Sequence, residues 1–542
     1  MSKLTSSKIW HELKSHHFNI NNLKMRDIFD YDEDRFYKFH IEWEEFLFDY
    51  SKNRINYDTI AFLSELARKS RLKFATKDLF AGKKVNTTEN RAAGHTALRN
   101  FTDDKIIINN ENVKNKIEKS REKIKDISEK IISGDWKGHT GKAIENVVNI
   151  GIGGSDLGLK MVYSALSEYQ NRTKVHFVSN VDRRSMIPIM RDLNPETTIF
   201  IICSKSFKTE ETMANASVAI NWMTRTGISK TDLSKHFLAI SSSEAECLKY
   251  GIPEENVLEI WDWVGGRFSL WSAVGLSLSI GIGYRNYIKL LKGAEKADNH
   301  FLESEFEQNI PILMAMLEFW YRNFFETNAR AVIPYNQDLK YFPDWLSQLE
   351  MESLGKTVSK NGDTIDYKSS GVVFGEVGTD AQHSFFQMLH QGSDMIPVDF
   401  IAFADYDPLD VQNQLLLSNF FAQSASLMNG KTKDEVLQEL KTKDLSDDDI
   451  KSILPHKVFA GNKPSNTIII KRLTPNNLGS LLSFYEHKTF VLGHLLNINP
   501  FDQMGVELGK ALTPDILAEL KNKKETEQFD SSTNSLINWT KK

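Results

Sequence analysis

The stretch that decides the fold is NVVNIGIGGSDLG, residues 146–158, in which a β-branched run gives way to a turn of glycine and serine. The same pattern returns in TTIFIICSKSFKTEET, residues 197–212, where the turn is rich in hydroxyl groups. In each case the residues after the turn have helical spacing. A strand, a turn and a helix repeated in this way predict crossover connections and a parallel sheet.

Both turns have the composition of an anion-binding site. Backbone N–H groups at a helix N-terminus carry partial positive charge, and small residues let an anion come close to them. Neither turn is a nucleotide motif, because no Gly-Lys-Ser/Thr ending is present and Asp156 stands where a dinucleotide fingerprint needs its third glycine. The two turns therefore predict a small phosphorylated ligand.

Short apolar runs alternate with helical patterns through most of the chain. They predict strands at 146–152, 174–179, 197–203 and 236–241 and, after a long helix at 309–327, at 330–335, 371–376, 395–402 and 467–472. This alternation predicts an α/β fold with two doubly wound parallel sheets in tandem, and ligands beyond the carboxyl ends of the strands.

Four parts are expected along the chain. They are a helical N-terminal segment at 1–115 packing on the larger domain, a first α/β domain at 116–284, a second and larger α/β domain at 285–500, and a helical C-terminal arm at 501–542. Helical spacing in the first part predicts core-facing side chains at Phe36, Phe39, Trp43, Phe46 and Phe48.

The composition excludes several classes of protein. A formal net charge of -5 over 542 residues, with both signs interspersed, argues against nucleic acid as the main partner. The two cysteines, Cys203 and Cys247, cannot form a disulfide framework, so a reducing compartment is expected. The first residues lack the apolar core of a secretory signal, and no later stretch has the pattern of a membrane span. We therefore expect a cytoplasmic protein without membrane contact.

Four side chains are candidates for chemistry, although each has an ordinary alternative. Glu352 lies near the end of a predicted helix, where a carboxylate is commonly solvent-exposed. Arg267 follows two glycines and two tryptophans, and a salt bridge at a helix start would explain it as well. His383, in a polar turn that begins a helix, is either a general acid or a surface residue, and Lys510 near the chain end is either functional or solvated.

A metal site is not expected. His11-Glu12 resembles the start of a zinc-protease helix, but the position for the second histidine is Ser15. No other cluster has ligand spacing, so the chemistry is expected to proceed without metal or cofactor.

Taken together, several long motifs resemble the glucose-6-phosphate isomerase family in the family's order. The motifs are GIGGSDLG (151–158), SKSFKTEET (204–212), WDWVGGRFSLWSAVGLS (261–277), QLEMESLGK (348–356), GTDAQHSFFQMLHQG (378–392), GNKPSN (461–466) and FDQMGVELGK (501–510). The resemblance covers almost the whole chain. It implies two SIS-type (sugar-isomerase) α/β domains with helical N- and C-terminal arms, a homodimer, and interconversion of glucose 6-phosphate and fructose 6-phosphate in glycolysis and gluconeogenesis.

The resemblance also implies roles for single residues. Glu352 matches the catalytic base, Arg267 the residue beside the reacting carbons, and His383 with Lys510 the pair assigned to ring opening, with His383 contributed by the other subunit. The implied phosphate-binding residues are Ser204, Lys205, Ser206, Thr209 and Thr212, and the implied sugar contacts are Gly154, Ser155, Gln348 and Gln503.

Three departures from the family's pattern are mild. Ser206 replaces a common Thr, Lys208 another Thr, and Met504 a frequent Trp, so affinity is affected more than chemistry. Two rival functions are less well supported by the sequence. A SIS-type regulator would bind a phosphosugar without needing the four catalytic residues, and a glucosamine-forming transferase would need a cysteine at its amino terminus, whereas the first cysteine is Cys203.

Overall fold

The computed structural model describes residues 2–229, 231–405 and 407–542. The strands in these ranges are β1 His40–Trp43, β2 Phe46–Asp49, β3 Ile107–Ile108, β4 Glu111–Asn112, β5 Asn146–Ile150, β6 Lys174–Val178, β7 Thr198–Cys203, β8 Phe237–Ser241, β9 Val257–Glu259, β10 Ala329–Pro334, β11 Val372–Phe374, β12 Val398–Phe403 and β13 Ser465–Ile470. No helix in the described ranges has the length and apolar character needed to cross a bilayer.

Helices outnumber strands in the described ranges. The α-helices are α1 Lys8–Ile20, α2 Met25–Tyr31, α3 Arg35–Lys38, α4 Tyr57–Lys69, α5 Leu72–Phe80, α6 Lys114–Ser133, α7 Leu157–Ala165, α8 Ile187–Asp192, α9 Glu210–Arg225, α10 Glu244–Lys249, α11 Leu276–Ile282, α12 Tyr284–Glu303, α13 Ile310–Phe324, α14 Phe342–Leu346, α15 Gly378–Gln382, α16 Phe386–Gln391, α17 Val411–Asn429, α18 Lys433–Lys441, α19 Asp447–Lys457, α20 Pro475–Leu495, α21 Glu507–Lys521 and α22 Ser531–Thr540.

The first sheet is entirely parallel and has the strand order β6-β5-β7-β8-β9. Strands β7 and β8 are buried along their whole length, as expected of strands covered by helices on both faces. The four strands predicted here are confirmed, with ends that differ by up to two residues. Strand β9 was not predicted, because three residues are too few to show a pattern.

The second sheet has the order β1-β2-β13-β12-β10-β11 and is mixed. Its four predicted strands pair in parallel, whereas β2 pairs antiparallel with β13 and β1 antiparallel with β2. The helical prediction for the N-terminal segment is therefore wrong at residues 40–49, which form a hairpin. Four-residue strands are too short for a period of two to stand out among the surrounding helical residues.

The aromatic residues expected in the core of this segment are divided between two environments. Phe39, Phe46 and Phe48 are buried, whereas Phe36 and Trp43 are only half-buried. The hairpin carries Phe46 and Phe48 into the second sheet, where they pair with Ile470 and Ile468 of β13.

Two compact units make up the chain, one ending at Pro500 and the other spanning Phe501–Lys542. The division into four domains remains a prediction. Within the second unit, the side chain of Asn538 on α22 accepts from the backbone N–H of Thr526 and donates to its carbonyl, which ties the last helix to the preceding loop. Leu508 and Leu512 on α21 are exposed.

Helix α20 is buried along almost its whole length, and α12 crosses it at backbone distance. A Cβ added at Gly479 of α20 would lie 1.9 Å from the carbonyl oxygen of Leu290 in α12. A Cβ at Gly293 of α12 would lie 1.8 Å from the carbonyl oxygen of Asn476. The crossing therefore requires a glycine on each helix.

We expect Gly479→Ala to lower the free energy of unfolding by about 1–3 kcal/mol, because the added methyl group meets backbone that cannot rotate away. Thermal unfolding followed by circular dichroism measures the shift. Gly158→Ala in α7 is the matched control, since its Cβ would make only ordinary contacts, from 3.5 Å, with side chains. Equal stability of the two variants would contradict this account of the crossing.

Candidate active site

The first turn connects β5 to α7 and touches two other segments. A Cβ at Gly154 would lie 2.0 Å from the carbonyl oxygen of Gly266, so the two backbones are in direct contact. Gly153 has φ +59°, and a Cβ there would lie 3.0 Å from Nε2 of Gln348. Since Ser155 follows immediately, this turn brings three of the sequence-predicted sugar contacts into one region.

The second turn follows β7, which pairs directly with β5. Both turns thus leave the same edge of the first sheet. The hydroxyl groups of Ser204 and Thr209 lie 3.2 Å apart, while Phe207 holds a positive φ of 53° with its ring buried. Thr212, in the first turn of α9, is buried, and its hydroxyl has no hydrogen-bond partner within the protein. Ser206 is exposed.

Lys205 ties the second turn to the segment that carries Arg267. Its ammonium donates to the carbonyl oxygens of Asp262 at 2.8 Å and Val264 at 3.2 Å. Burial lowers the pKa of Lys205, and the positive charge of Arg91 acts in the same direction. The lysine therefore stays near the turn instead of extending into solvent.

Arg267 and Glu352 form the charged centre of this region. Nη1 of Arg267 lies 3.8 Å from Oε1 of Glu352, which is an ion-pair distance longer than a hydrogen bond. The guanidinium is almost fully buried, and it also donates to the hydroxyl of Ser353 at 2.7 Å and to the carbonyl of Pro500 at 2.7 Å. Glu352 keeps about a fifth of its side chain accessible, so the carboxylate is paired but still open to a ligand.

Glu352 is the last residue of a π-helical turn, Ser347–Glu352, that continues α14. Turns of this kind are rare and occur frequently at functional sites. The turn is held from its C-terminal side by Lys356, whose ammonium donates to the carbonyl of Glu352 at 2.9 Å. Gln348 lies on the same turn, so one short element supplies both a predicted sugar contact and the predicted base.

The remaining predicted site residues are His383, Gln503 and Lys510. His383 directly follows α15 and is exposed, so it ends a helix instead of beginning one as its motif suggested. Gln503 and Lys510 belong to the second unit, where Gln503 is half-buried and Lys510 is exposed on α21.

Comparison with known proteins assigns the family. The model of the phosphoglucose isomerase family matches residues 49–537. The chain belongs to this family. The resemblance stated from the motifs is thereby confirmed.

Individual relatives agree with this assignment. The chain is 49% identical over 535 residues to a glucose-6-phosphate isomerase of Christiangramia forsetii. The match covers 98% of this chain and 98% of that protein. The crystal structure of a glucose-6-phosphate isomerase from Chlamydia trachomatis has a TM-score of 0.86 at 30% identity and covers 99% of each chain. A hypothetical protein from Thermus thermophilus has a TM-score of 0.61 at 22% identity, covering 85% of this chain and 98% of its own, and shows the fold alone.

Neither thiol in the chain has the environment of a nucleophile. Both cysteines are buried, and burial raises the pKa of Cys203 to about 12 and that of Cys247 to about 11. In the ranges 2–229, 231–405 and 407–542, no three His, Cys, Asp or Glu side chains are grouped in a way that could hold a metal ion.

Sequence reasoning gave Asp156 no role, but the structure gives it an unusual environment beside the first turn. Its carboxyl group is buried, and Oδ1 has no hydrogen-bond partner. Burial raises its pKa to about 6, although the charge of Lys160 and a hydrogen bond from Ser179 act in the opposite direction. The sequence offers one signal for Asp156, which is its position between the glycine and serine turn and the start of α7.

The raised pKa predicts how stability changes with pH. The folded state binds the proton of Asp156 up to about pH 6, whereas the ordinary carboxyl releases it near 3.8. The free energy of unfolding contributed by this group is therefore greatest below pH 3.8 and falls as the pH rises through 6. We expect Asp156→Asn to remove that fall and to raise stability at pH 7 by up to roughly 3 kcal/mol.

Denaturant unfolding of wild type and variant between pH 4 and pH 8 measures the difference. Asp192→Asn, which alters an exposed carboxylate at the end of α8, serves as the control and is expected to follow wild type. A difference between Asp156→Asn and wild type that does not change with pH would contradict the assignment.

Proposed function

We propose that this chain interconverts D-glucose 6-phosphate and D-fructose 6-phosphate by ring opening and proton transfer through a cis-enediolate. The observation that carries the proposal is the Arg267–Glu352 pair, 3.8 Å apart beside the glycine and serine turn, in a chain whose family match spans residues 49–537. A carboxylate that is both paired and accessible has the form required of a proton-transferring base.

The phosphate group is bound by the second turn. Ser204, Ser206, Thr209 and Thr212 offer hydroxyl donors, and Lys205 with the amides before α9 adds positive potential. The buried hydroxyl of Thr212 supports this, because a buried polar group without a protein partner is otherwise costly. Gly154, Ser155, Gln348 and Gln503 are assigned to the sugar.

Proton transfer is assigned to Glu352. A carboxylate removes the proton from C2 of the open-chain aldose and returns it to C1. The hydroxyl proton on O2 passes to O1 in the same conversion, so that the carbonyl moves from C1 to C2. Charge develops on the enediolate oxygen only during the reaction, and a fixed guanidinium nearby therefore favours the transition state over the substrate. Arg267 supplies this cation, and its hydrogen bonds to Ser353 and Pro500 fix it before substrate arrives.

Ring opening precedes proton transfer and is assigned to His383 and Lys510. An imidazole exchanges protons near neutral pH, while an ammonium stabilises an alkoxide. His383 is exposed on its own subunit, which agrees with its contribution to a neighbouring site in a homodimer. The two buried thiols agree with a reducing, cytoplasmic location.

A phosphosugar-binding regulator of the SIS type is the alternative function. Binding without reaction does not require an arginine paired with an accessible carboxylate, as Arg267 is with Glu352. In addition, a relative that is 49% identical over 98% of the chain is named a glucose-6-phosphate isomerase. The isomerase is therefore favoured.

The direct test is a coupled assay in which fructose 6-phosphate is converted to glucose 6-phosphate and detected by a dehydrogenase, in the presence of EDTA. We expect activity in wild type and a loss of kcat of about 10²–10⁴-fold in Glu352→Gln, because general-base assistance has that magnitude. Glu303→Gln, which changes an exposed carboxylate of α12, controls for the substitution itself. Wild type without activity would contradict the proposed function, and turnover of Glu352→Gln within threefold of wild type would remove Glu352 from the role of base.

Shared active sites predict complementation between inactive variants. Co-refolding Glu352→Gln with His383→Ala should restore roughly a quarter of wild-type activity, since half of randomly paired dimers are mixed and each contains one intact site. Each variant refolded alone is the control. Mixed dimers that form but stay inactive would place His383 in the site of its own chain.

A further inference from the structure

The carboxylate of Glu350 lies two residues before Glu352 on the same π-helical turn, but it is directed into the interior. It is completely buried, and it accepts from the ammonium of Lys488 at 2.9 and 3.0 Å and from Nη2 of Arg330 at 2.6 Å. Lys488 lies on α20 and Arg330 on β10. The turn that carries the base is therefore attached, on its rear side, to a helix and a strand of the second sheet.

The attachment is unusual for a purely structural contact. Two cations and a carboxylate taken out of water give little net stability compared with apolar side chains of similar size. A π-helical turn is also a less favourable backbone than the α-helix it interrupts, and it persists where surrounding contacts over-determine it. Both features lie on one six-residue segment, Ser347–Glu352.

The front of the segment is fixed separately. Arg267 donates to the hydroxyl of Ser353, and Lys356 donates to the carbonyl of Glu352. The rear contacts of Glu350 set the rotation of the turn about its own axis, because Glu350 and Glu352 project in different directions from it. A change in that rotation moves the Glu352 carboxylate relative to Arg267.

We propose that Glu350, Lys488 and Arg330 are positioning residues for the reaction, which hold the π-helical turn so that the Glu352 carboxylate stays in line with the substrate carbons. This inference rests on the proposed function, since it concerns the base of that reaction. Displacement of a reacting group by about 1 Å costs on the order of 10²-fold in rate. The three residues touch no substrate.

The chain offers a matched control within the same buried network. Glu318 on α13 forms ion pairs with the same two cations, Arg330 at 3.2 Å and Lys488 more closely. Its side chain is 10% exposed, compared with 0% for Glu350. Burial acts to raise its pKa, but the charges of Lys488 and Arg330 lower it. The two carboxylates differ in that only Glu350 belongs to the turn of Glu352.

The experiment compares Glu350→Gln, Lys488→Met and Glu318→Gln in the full-length protein. For each we would measure kcat, KM, the thermal midpoint, and the primary isotope effect on kcat with glucose 6-phosphate deuterated at C2. Glu350→Gln is expected to lose 10–100-fold in kcat with KM within threefold of wild type, because binding contacts are left in place. Its isotope effect rises, since a displaced base makes proton transfer more strongly rate-limiting.

Lys488→Met keeps the length of the side chain without its charge and is expected to show the same pattern to a smaller degree, because Arg330 still contacts Glu350. Glu318→Gln is expected to stay within threefold in kcat with an unchanged isotope effect, even where its thermal midpoint falls as far as that of Glu350→Gln. If Glu350→Gln does not fold, Lys488→Met alone provides the comparison.

Two results would overturn the inference. One is an equal loss of kcat in Glu350→Gln and Glu318→Gln that follows the fall in thermal midpoint. The other is a loss in Glu350→Gln with an unchanged isotope effect. Failure of the proposed function is distinguished from both, because wild type would then show no isomerase activity.

Discussion

Charges buried on helix α20 are the constraint on which the rest of the structure depends. Glu486 and Lys488 lie two residues apart on this helix and are both almost fully buried, so each needs partners. Glu486 accepts from the indole of Trp271, in the segment that carries Arg267. Lys488 donates to Glu350, on the turn that carries Glu352. Helix α20 therefore contacts both segments that carry the Arg267–Glu352 ion pair.

Asp298 on α12 and Glu486 on α20 are neighbouring buried carboxylates whose pKa values are shifted in opposite directions. Asp298 accepts two hydrogen bonds from Arg99 and others from Ser483 and His487. Burial acts to raise its pKa, but the charge of Arg99, together with the hydrogen bond and charge of His487, lowers it to about 2. Glu486 has fewer donors, and burial raises its pKa to about 7. Both carboxylates are buried, so the charges and donors that oppose burial account for the opposite directions of their pKa shifts.

The sequence predicts local features well and distant ones poorly. Strands β5 and β7 with their turns follow from apolar runs and small residues, and the family follows from motifs. The hairpin at 40–49 was not predicted because its strands have only four residues each, and because the strand that it pairs with, β13, is remote in sequence. The role of Glu350 was not visible, since its partner Lys488 is 138 residues away and nothing in QLEMESLGK distinguishes the inward carboxylate from the outward one.

The hairpin has a consequence for how this chain is made. The side chain of Asn53, just after β2, donates to the carbonyl of Ser465, 412 residues later. At synthesis rates of 5–20 residues per second, roughly 20–80 s pass between the two leaving the ribosome. Throughout that interval β1 pairs with one side of β2, but the other side, which later pairs with β13, has no partner strand. The nascent polypeptide therefore displays an open, aromatic-rich edge until β13 has been made. The second sheet is therefore completed only after all of its other strands have been made.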